Sequence, residues 1–224
     1  MLKAFPQINF RKADSEKIRY FKKHFSYNEN IDGVRFIKAK LPKYFGWYYP
    51  SYYQDLLPFK YTIPLSVLDS ESKKIAKQIK SEKHPVGVHV RRGDMAVTQH
   101  NWVVCPPEYF VNAVKFFMKK YSNASFYFFS DEPDWIQDNI LPLLSNIKNP
   151  IHLVSHNGSD KGYMDLALLS YCEHFVQSQG SMARYANMLN HNKNKILIAP
   201  EKPGSAEIKV LHNLSDVIPN QVIK

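Results

Sequence analysis

Short apolar runs alternate with helical patterns through residues 86–199, and this alternation restricts the fold more than any other feature of the chain. The apolar runs, which are typical of buried strands, lie at 86–90, 125–129, 151–154, 174–178 and 195–199. Helical patterns lie between them at 107–121, from about 134, at 162–172 and at 181–189. Strands that alternate with helices predict a parallel sheet with helices on both faces. The predicted fold class is therefore α/β, with a doubly wound parallel sheet.

The first part of the chain has weaker periodic signals. A helix is predicted over 16–25, and the weak alternation over 33–40 predicts a strand. Asp69 or Ser70 can cap a further helix that continues to residue 80.

The charge of the chain is unevenly distributed. Residues 1–83 contain 17 Lys and Arg but 8 Asp and Glu, whereas residues 84–224 contain 13 and 12. We therefore expect a basic, aromatic segment over 1–83 and a separate α/β domain over 84–224. The basic segment fits a nucleic acid, an anionic membrane surface, a sugar-binding face or ordinary lysine-rich solvated helices, and the sequence leaves these open.

Composition excludes several classes of protein. Of the 224 residues, 44% are hydrophobic, which is too many for a disordered chain. Cys105 and Cys172 cannot staple a fold of this size and give no reason to expect an oxidising compartment. No apolar run approaches ~18 residues, and the N-terminus lacks the apolar core of a signal peptide. We therefore expect a cytoplasmic protein.

The loop after the strand at 86–90 is unusually polar, with the sequence HVRRGD at 89–94. Ligands of open α/β sheets bind at the carboxyl ends of the strands. Alternation along the strand puts His89 and Arg91 on one side, and a guanidinium can make two parallel hydrogen bonds to a phosphate. Asp94 can orient Arg91 or accept a proton. Alternatively, Arg91 and Asp94 pair only to fix the loop.

Acidic residues follow the strand at 125–129. Ser130 and Asp131, with Asp134 shortly after, could contact the base or ribose of a ligand, and the carboxylates could hold a divalent cation beside a nucleotide diphosphate. They could equally cap the following helix, because the N-terminal end of a helix favours carboxylates. Capping by Asp131 or Asp134 is the preferred interpretation.

Small polar residues follow the strand at 174–178. Ser178, Gln179, Gly180 and Ser181 precede a predicted helix, where exposed N–H groups and hydroxyls form an anion site, and Arg184 could add a cation. An ordinary serine N-cap is the alternative. Two phosphate-suited loops on neighbouring strand ends favour a diphosphate ligand.

Three segments carry recognisable signatures in order. They read VHVRRGD at 88–94, FYFFSDEPDW at 126–135 and DLALLSYCEHFV at 165–176. These segments resemble the three signatures of the α-1,2-fucosyltransferases, glycosyltransferase family 11, and the resemblance covers about residues 48–202.

The resemblance implies a GT-B-like fold in which 84–224 is the GDP-sugar-binding domain and 1–83 is part of the acceptor-side domain. It implies an inverting, metal-independent transfer of L-fucose from GDP-fucose to the 2-hydroxyl of a galactoside, in glycan or surface polysaccharide synthesis and without a cofactor. Arg91 then neutralises the departing diphosphate, with His89 beside it, and Asp94 is the candidate general base. The other residues expected to bind the donor are Ser130, Asp131, Ser178, Gln179, Gly180, Ser181 and Arg184.

The sequence departs from the family pattern in two places. Many members continue the third signature with Asn-Ser-x-Phe-Ser-Trp-Trp, whereas this chain reads SQGSMARY at 178–185, closer to the Ser-Gln element of related GDP-fucose enzymes. The Gly-x-Gly-Asn-Gln loop with which members typically open is missing, so we expect a truncated or split product. The alternative function is therefore a non-catalytic remnant that binds a GDP-sugar.

The basic segment leaves two further partners to consider. A nucleic acid is not expected, because the excess charge lies outside the three signatures. A peripheral contact with an anionic membrane at the inner membrane face fits the expected cytoplasmic location, since each well-placed Lys or Arg contributes about 1 kcal/mol at such a surface.

Overall fold

The computed structural model describes residues 2–7, 14–16, 19, 25–31, 34–39, 45–48, 62–97 and 104–212. The chain forms two compact units, one that combines 1–6 with 59–216 and one that combines 7–58 with 217–224. Most of the helix predicted over 16–25 lies outside the described residues. The domain boundary predicted near residue 83 stays a prediction.

The smaller unit contains a three-stranded antiparallel sheet in the order β1-β2-β3. Its strands are β1 (Phe25–Ile31), β2 (Val34–Ala39) and β3 (Phe45–Tyr48). β2 confirms the strand predicted over 33–40. The sequence pattern does not predict β1, because Ser26, Asn28 and Asn30 interrupt any apolar run.

The larger unit contains a six-stranded sheet in the order β6-β5-β4-β7-β8-β9. Its strands are β4 (His84–Val90), β5 (Ala124–Ser130), β6 (Ile151–Val154), β7 (His174–Gln177), β8 (Leu197–Pro200) and β9 (Ile208–Leu211). Every pairing from β6 to β8 is parallel, and β9 pairs with β8 antiparallel. The predicted parallel sheet is confirmed with all of its predicted strands, whereas β9 was not expected from the pattern.

Helices connect and flank these strands. Within the described residues they are α1 (Ser70–Ser81), α2 (Gly93–Val97), α3 (Pro107–Lys120), α4 (Pro133–Asn139), α5 (Gly162–Tyr171) and α6 (Met182–Leu189), with short 3-10 turns at Leu2–Ala4, Leu65–Val67, Leu141–Leu144 and Ser159–Lys161. Asp69 caps α1 as predicted, because its side chain accepts the Ser72 N–H at 2.9 Å. None of the described helices has the length and apolar character that crossing a membrane requires.

Both faces of the larger sheet are covered. On one face Val88 and Phe128 lie in a core cluster with the α3 residues Phe110, Val114 and Phe117, all almost fully buried. On the other face Gly87 lies against α5, where an added Cβ would come within 2.8 Å of Leu169 Cδ2. The α/β class and the doubly wound sheet are therefore confirmed.

Candidate functional site

The strand order of the larger sheet changes direction at β4, which makes this strand a topological switch point. From β4 the connections run outward through β5 to β6, and then restart on the opposite side with β7. Ligands of open α/β sheets bind outside the carboxyl ends of the strands at this switch point. The loops after β4 and β7 meet there, because the Arg91 N–H donates to Ser178 Oγ at 2.7 Å. The fold therefore places two of the predicted phosphate loops side by side.

Two carboxylates hold the Arg91 guanidinium. Nη1 pairs with Asp131 Oδ2, and Nη2 pairs with Asp94 Oδ1. The Arg91 side chain is 33% exposed and that of Asp94 is 65% exposed, so water reaches this cluster. Ion pairs in contact with water add little to stability, and an anionic ligand can compete with them. The arrangement fixes the orientation of a cation at the rim of the sheet.

Asp131 has a different role from the one predicted for it. Its Oδ1 accepts the Arg92 N–H at 3.0 Å, while its Oδ2 holds Arg91. Glu132 is the N-cap residue of α4 and makes no side-chain cap bond, and its N–H donates instead to Ser130 Oγ at 2.9 Å. Capping by Asp131 is therefore wrong, because its carboxylate turns towards the arginines. Asp134 lies in the first turn of α4, where its charge is favourable.

His89 lies below this cluster and is only 6% exposed. Burial lowers the pKa of His89 to about 4, Asp131 opposes that shift, and Arg91 adds to it. The ring is therefore neutral at pH 7 and offers one N–H donor and one acceptor. Its partner in β7 is Gln177, which is also buried and whose Oε1 has no hydrogen-bond partner within the described residues. The sequence places Gln177 at the start of the polar stretch over 177–181 but indicates no binding role for it, because its burial depends on the neighbouring strands.

The Arg92 side chain has different partners from that of Arg91 and packs against the residues that follow β5. Its Nε donates to Glu132 Oε2 at 3.2 Å, and its guanidinium lies 3.8 Å from the centroid of the Trp135 ring. Ser130 is also engaged, because its hydroxyl donates to the Val90 carbonyl oxygen at 2.7 Å. Both residues therefore tie the ends of β4 and β5 together.

The third predicted loop surrounds Arg91 from the β7 side. Gly180 has φ +97°, a conformation that favours glycine, and an added Cβ would lie 3.5 Å from Arg91 Cγ. Gln179 Oε1 accepts the Cys105 N–H at 3.1 Å. Ser181 is the N-cap residue of α6 but makes no side-chain cap bond, so the ordinary capping role does not occupy its hydroxyl.

Two charged residues complete the edge on which the site lies. Arg184 follows in the first turn of α6, where burial lowers the pKa of its guanidinium and its Nε has no partner among the described residues. Asp165 lies in the first turn of α5, and burial raises its pKa to about 6 although Asn157 donates to it at 2.8 Å. Asp165 is the first residue of the third signature segment, and the sequence alone indicates no role for it. A half-buried carboxyl at a helix start is visible only in the fold.

Comparison with known proteins places the chain in a family. The family model described as Glycosyl transferase family 11 matches residues 5–213. Galactoside alpha-(1,2)-fucosyltransferase 2 of Bos taurus is 28% identical over 61% of this chain and 40% of its own length. The protein of the same name from Rattus norvegicus is 30% identical over 61% and 38%. The chain thus spans well under half the length of these curated relatives.

Solved structures give a weaker likeness. NodZ alpha-1,6-fucosyltransferase, co-crystallised with GDP, has a TM-score of 0.42 and 17% identity over 64% of this chain and 46% of that one. The family match rests on the sequence. The matched residues include all three signatures and the loops that follow β4 and β7. The chain belongs to glycosyl transferase family 11.

Proposed function

We propose that the protein transfers L-fucose from GDP-fucose to the 2-hydroxyl of a galactoside, with inversion and without a metal or other cofactor. The observation that carries this proposal is the Arg91 guanidinium, held at the switch point between Asp94, Asp131 and the Ser178–Ser181 loop. A nucleotide diphosphate has the charge for this position. Relatives named as galactoside fucosyltransferases support the acceptor and the linkage.

The leaving diphosphate explains why the reaction needs Arg91. Negative charge grows on the diphosphate as the bond to fucose breaks, so a fixed cation stabilises the transition state more than the bound donor. Arg91 must exchange at least one carboxylate for phosphate oxygens, and Gly180 lets the ligand approach because it has no side chain beside Arg91. The Ser181 hydroxyl and the first N–H groups of α6 would receive the other phosphate oxygens.

The remaining site residues have supporting parts in this proposal. His89, being neutral, would bind the donor by hydrogen bonds without adding charge, and Arg184 would add a cation at the start of α6. Ser130, Asp131 and Gln179 would position the loops, since each already binds a backbone group. Asp94 is the proposed general base, because its largely exposed carboxylate is open to an incoming hydroxyl.

A turnover assay tests the proposal. The protein is incubated with GDP-fucose and lactose without added metal, and fucosylated product is measured by mass spectrometry. We expect product with wild type, about a hundredfold less with Arg91→Ala, and partial recovery with Arg91→Lys, because a point charge replaces a two-pronged donor. Unchanged turnover in Arg91→Ala would overturn the role of this residue.

Binding of a GDP-sugar without transfer is the second candidate, because the cluster around Arg91 accounts for donor binding alone. It predicts GDP binding that depends on Arg91 but no fucosylated product under any condition. Isothermal titration with GDP, run beside the turnover assay, separates the two functions.

We further propose that the protein works at the inner membrane face in polysaccharide synthesis and contacts anionic lipid there. Its basic first 83 residues, with 17 Lys and Arg against 8 Asp and Glu, support this location.

A further inference from the structure

One exposed side of α1 carries only basic charged residues. Lys73, Lys74, Lys77 and Lys80 are exposed, whereas Ser72, Ala76 and Ile79 are buried against the domain. At ~100° per residue the four lysines fall within a sector of about 120° on the helix, and Glu71 lies outside it. We call these four residues the α1 lysine face.

No other described helix has such a face. On α3 the exposed residues Lys115 and Lys119 share their side of the helix with Glu108, and α4 carries acidic residues. Protein surfaces normally intersperse both signs of charge, and a field of one sign attracts a partner of the opposite sign. The α1 lysine face therefore calls for an anionic partner.

A cavity lined by apolar and polar residues adjoins one of the lysines. Lys80 lines a cavity of about 420 Å³ together with Leu65, Tyr171 and Leu189. Leu65 is 37% exposed, and only Leu143 among the other large apolar residues described is also exposed. The Lys80 ammonium lies 4.2 Å from the centroid of the Tyr171 ring, so it covers the ring on that side.

We propose that the α1 lysine face and Leu65 dock the protein on an anionic phospholipid surface. Cations beside an exposed leucine fit phosphate headgroups next to acyl chains. Single-stranded nucleic acid is less suitable, because it needs open aromatic faces for stacking and the Tyr171 ring is covered by Lys80. This inference extends the proposed membrane location and does not depend on GDP binding.

Docking through α1 would bring the candidate site close to the bilayer. The Ser72 hydroxyl in the first turn of α1 bonds to His156 Nε2 at 2.8 Å, in the loop after β6. Asp69, which caps α1, also pairs with Lys161 at 3.4 Å. The start of α1 therefore lies at the same edge of the sheet as Arg91. A lipid-linked acceptor would meet the site at this edge.

Vesicle co-sedimentation with the full chain tests the docking surface. The probes are phosphatidylcholine vesicles with and without phosphatidylglycerol. We expect the triple variant Lys73→Gln, Lys74→Gln, Lys77→Gln to lose about a hundredfold in affinity for the anionic vesicles. The control variant Lys115→Gln, Lys119→Gln, Lys120→Gln removes the same charge from exposed positions on α3. We expect it to lose about threefold or less, because its lysines lie away from the contact.

Three outcomes would overturn the docking proposal. They are an equal loss in the control variant, failure of wild type to bind anionic vesicles, and tighter binding of single-stranded DNA through the same lysines. GDP affinity, measured in parallel, should be the same in both triple variants. A wild type that binds vesicles but not GDP would contradict the proposed function alone.

Leu65→Ser isolates the apolar part of the contact. Salt screens the lysine charges but not apolar burial, so we expect this variant to lose about tenfold in vesicle affinity at high salt. Unchanged vesicle binding by Leu65→Ser would remove Leu65 from the docking surface.

Discussion

Two buried histidines at opposite ends of neighbouring strands show what distinguishes the candidate site from ordinary packing. His89 lies near the carboxyl end of β4, and His174 is the first residue of β7. Both rings are buried, and burial lowers the pKa of each to about 4. Neither burial nor titration therefore separates a ligand-binding histidine from a structural one.

The surroundings of His174 enclose the ring, and its Nδ1 is hydrogen-bonded whereas its Nε2 has no hydrogen-bond partner among the described residues. Its Nδ1 accepts the Ile196 N–H at 3.2 Å, and it stacks on Tyr121 and Phe117. His84, Glu173 and His174 hold possible ligand atoms within 4.8 Å of one another. A metal at Nε2 would require the proton on Nδ1, where the Ile196 N–H already points. We therefore interpret this cluster as packing.

The charges around His89 include a guanidinium held at the carboxyl edge of the sheet, whereas the charged groups that act on His174 are Glu173, His84 and Lys120. Arg91 and Asp131 both act on His89, and both lie at the rim of the sheet in partial contact with water. A ligand-binding site therefore differs from ordinary packing in having ion pairs whose carboxylates an anionic ligand can replace.

Replacing each buried histidine by alanine tests whether the ring binds a ligand or only packs, and His174→Ala should have the greatest effect on stability. His174→Ala removes a stacked, fully buried ring and leaves the Ile196 N–H without its acceptor, so we expect a loss of about 3–5 kcal/mol in the free energy of unfolding. His89→Ala should lose less stability but weaken GDP binding. Urea unfolding and GDP titration on both variants measure this. Equal losses of stability with unchanged GDP affinity would show that His89 is also only packing.

The next effect compares the two adjacent arginines. Arg91→Ala should weaken GDP binding by about a hundredfold, since a charged hydrogen bond to phosphate is lost, while stability changes by less than about 1 kcal/mol. Arg92→Ala should show the reverse, with a loss of about 1 kcal/mol in stability and little change in affinity, because it removes the contacts with Trp135 and Glu132. GDP titration and thermal unfolding of both variants decide the assignment, and a greater loss of GDP affinity in Arg92→Ala would invert it.

The sequence predicts the parallel sheet well because each buried strand and each helix start leaves a local signal. Asp69, for example, stands where an N-cap must be, and it caps α1. The α/β fold and the loops that meet at Arg91 follow from such signals together with the rule for ligand position in open sheets.

The parts that the sequence could not predict depend on contacts between distant residues. Asp131 has the spacing of a helix cap, but Arg91 and the Arg92 N–H compete for its carboxylate across strands. His89 lies between two valines and His174 directly precedes Phe175 and Val176, so both are typical of strand residues. Only the position of Ile196 and of the charges tells them apart.

The pH dependence of stability offers a third test. Both histidines have a folded pKa of about 4, below the ordinary value of 6.5. Their contribution to stability is therefore present above pH ~6.5 and is lost as the pH falls towards 4, at about 1.4 kcal/mol per pH unit for each ring. Asp165, whose pKa is raised to about 6, acts in the opposite direction because acid favours its folded form.

Single variants separate these contributions. The free energy of unfolding is measured at pH 6.5 and at pH 4.5. His174→Gln should lose less of it between these two pH values than wild type, because one of the two buried histidines no longer titrates. Saturating GDP should reduce the loss of stability in acid that His89 causes, because a diphosphate beside the ring raises its pKa. The loss that His174 causes should not change. An equal response of His89→Gln and His174→Gln to GDP would remove the distinction between the two ends of the sheet.

The smallest expected effect concerns two glycines with positive φ. Gly180 has φ +97° beside Arg91, and Gly204 has φ +73° in the turn between β8 and β9. Alanine at either position should lower stability by about 1 kcal/mol, because the left-handed conformation is strained for any side chain. Only Gly180→Ala should also weaken GDP binding, by several-fold, since its methyl group would narrow the space beside Arg91 Cγ. GDP titration of the two variants reveals this, and an equal change in affinity would mean that Gly180 provides a turn and no access for the diphosphate.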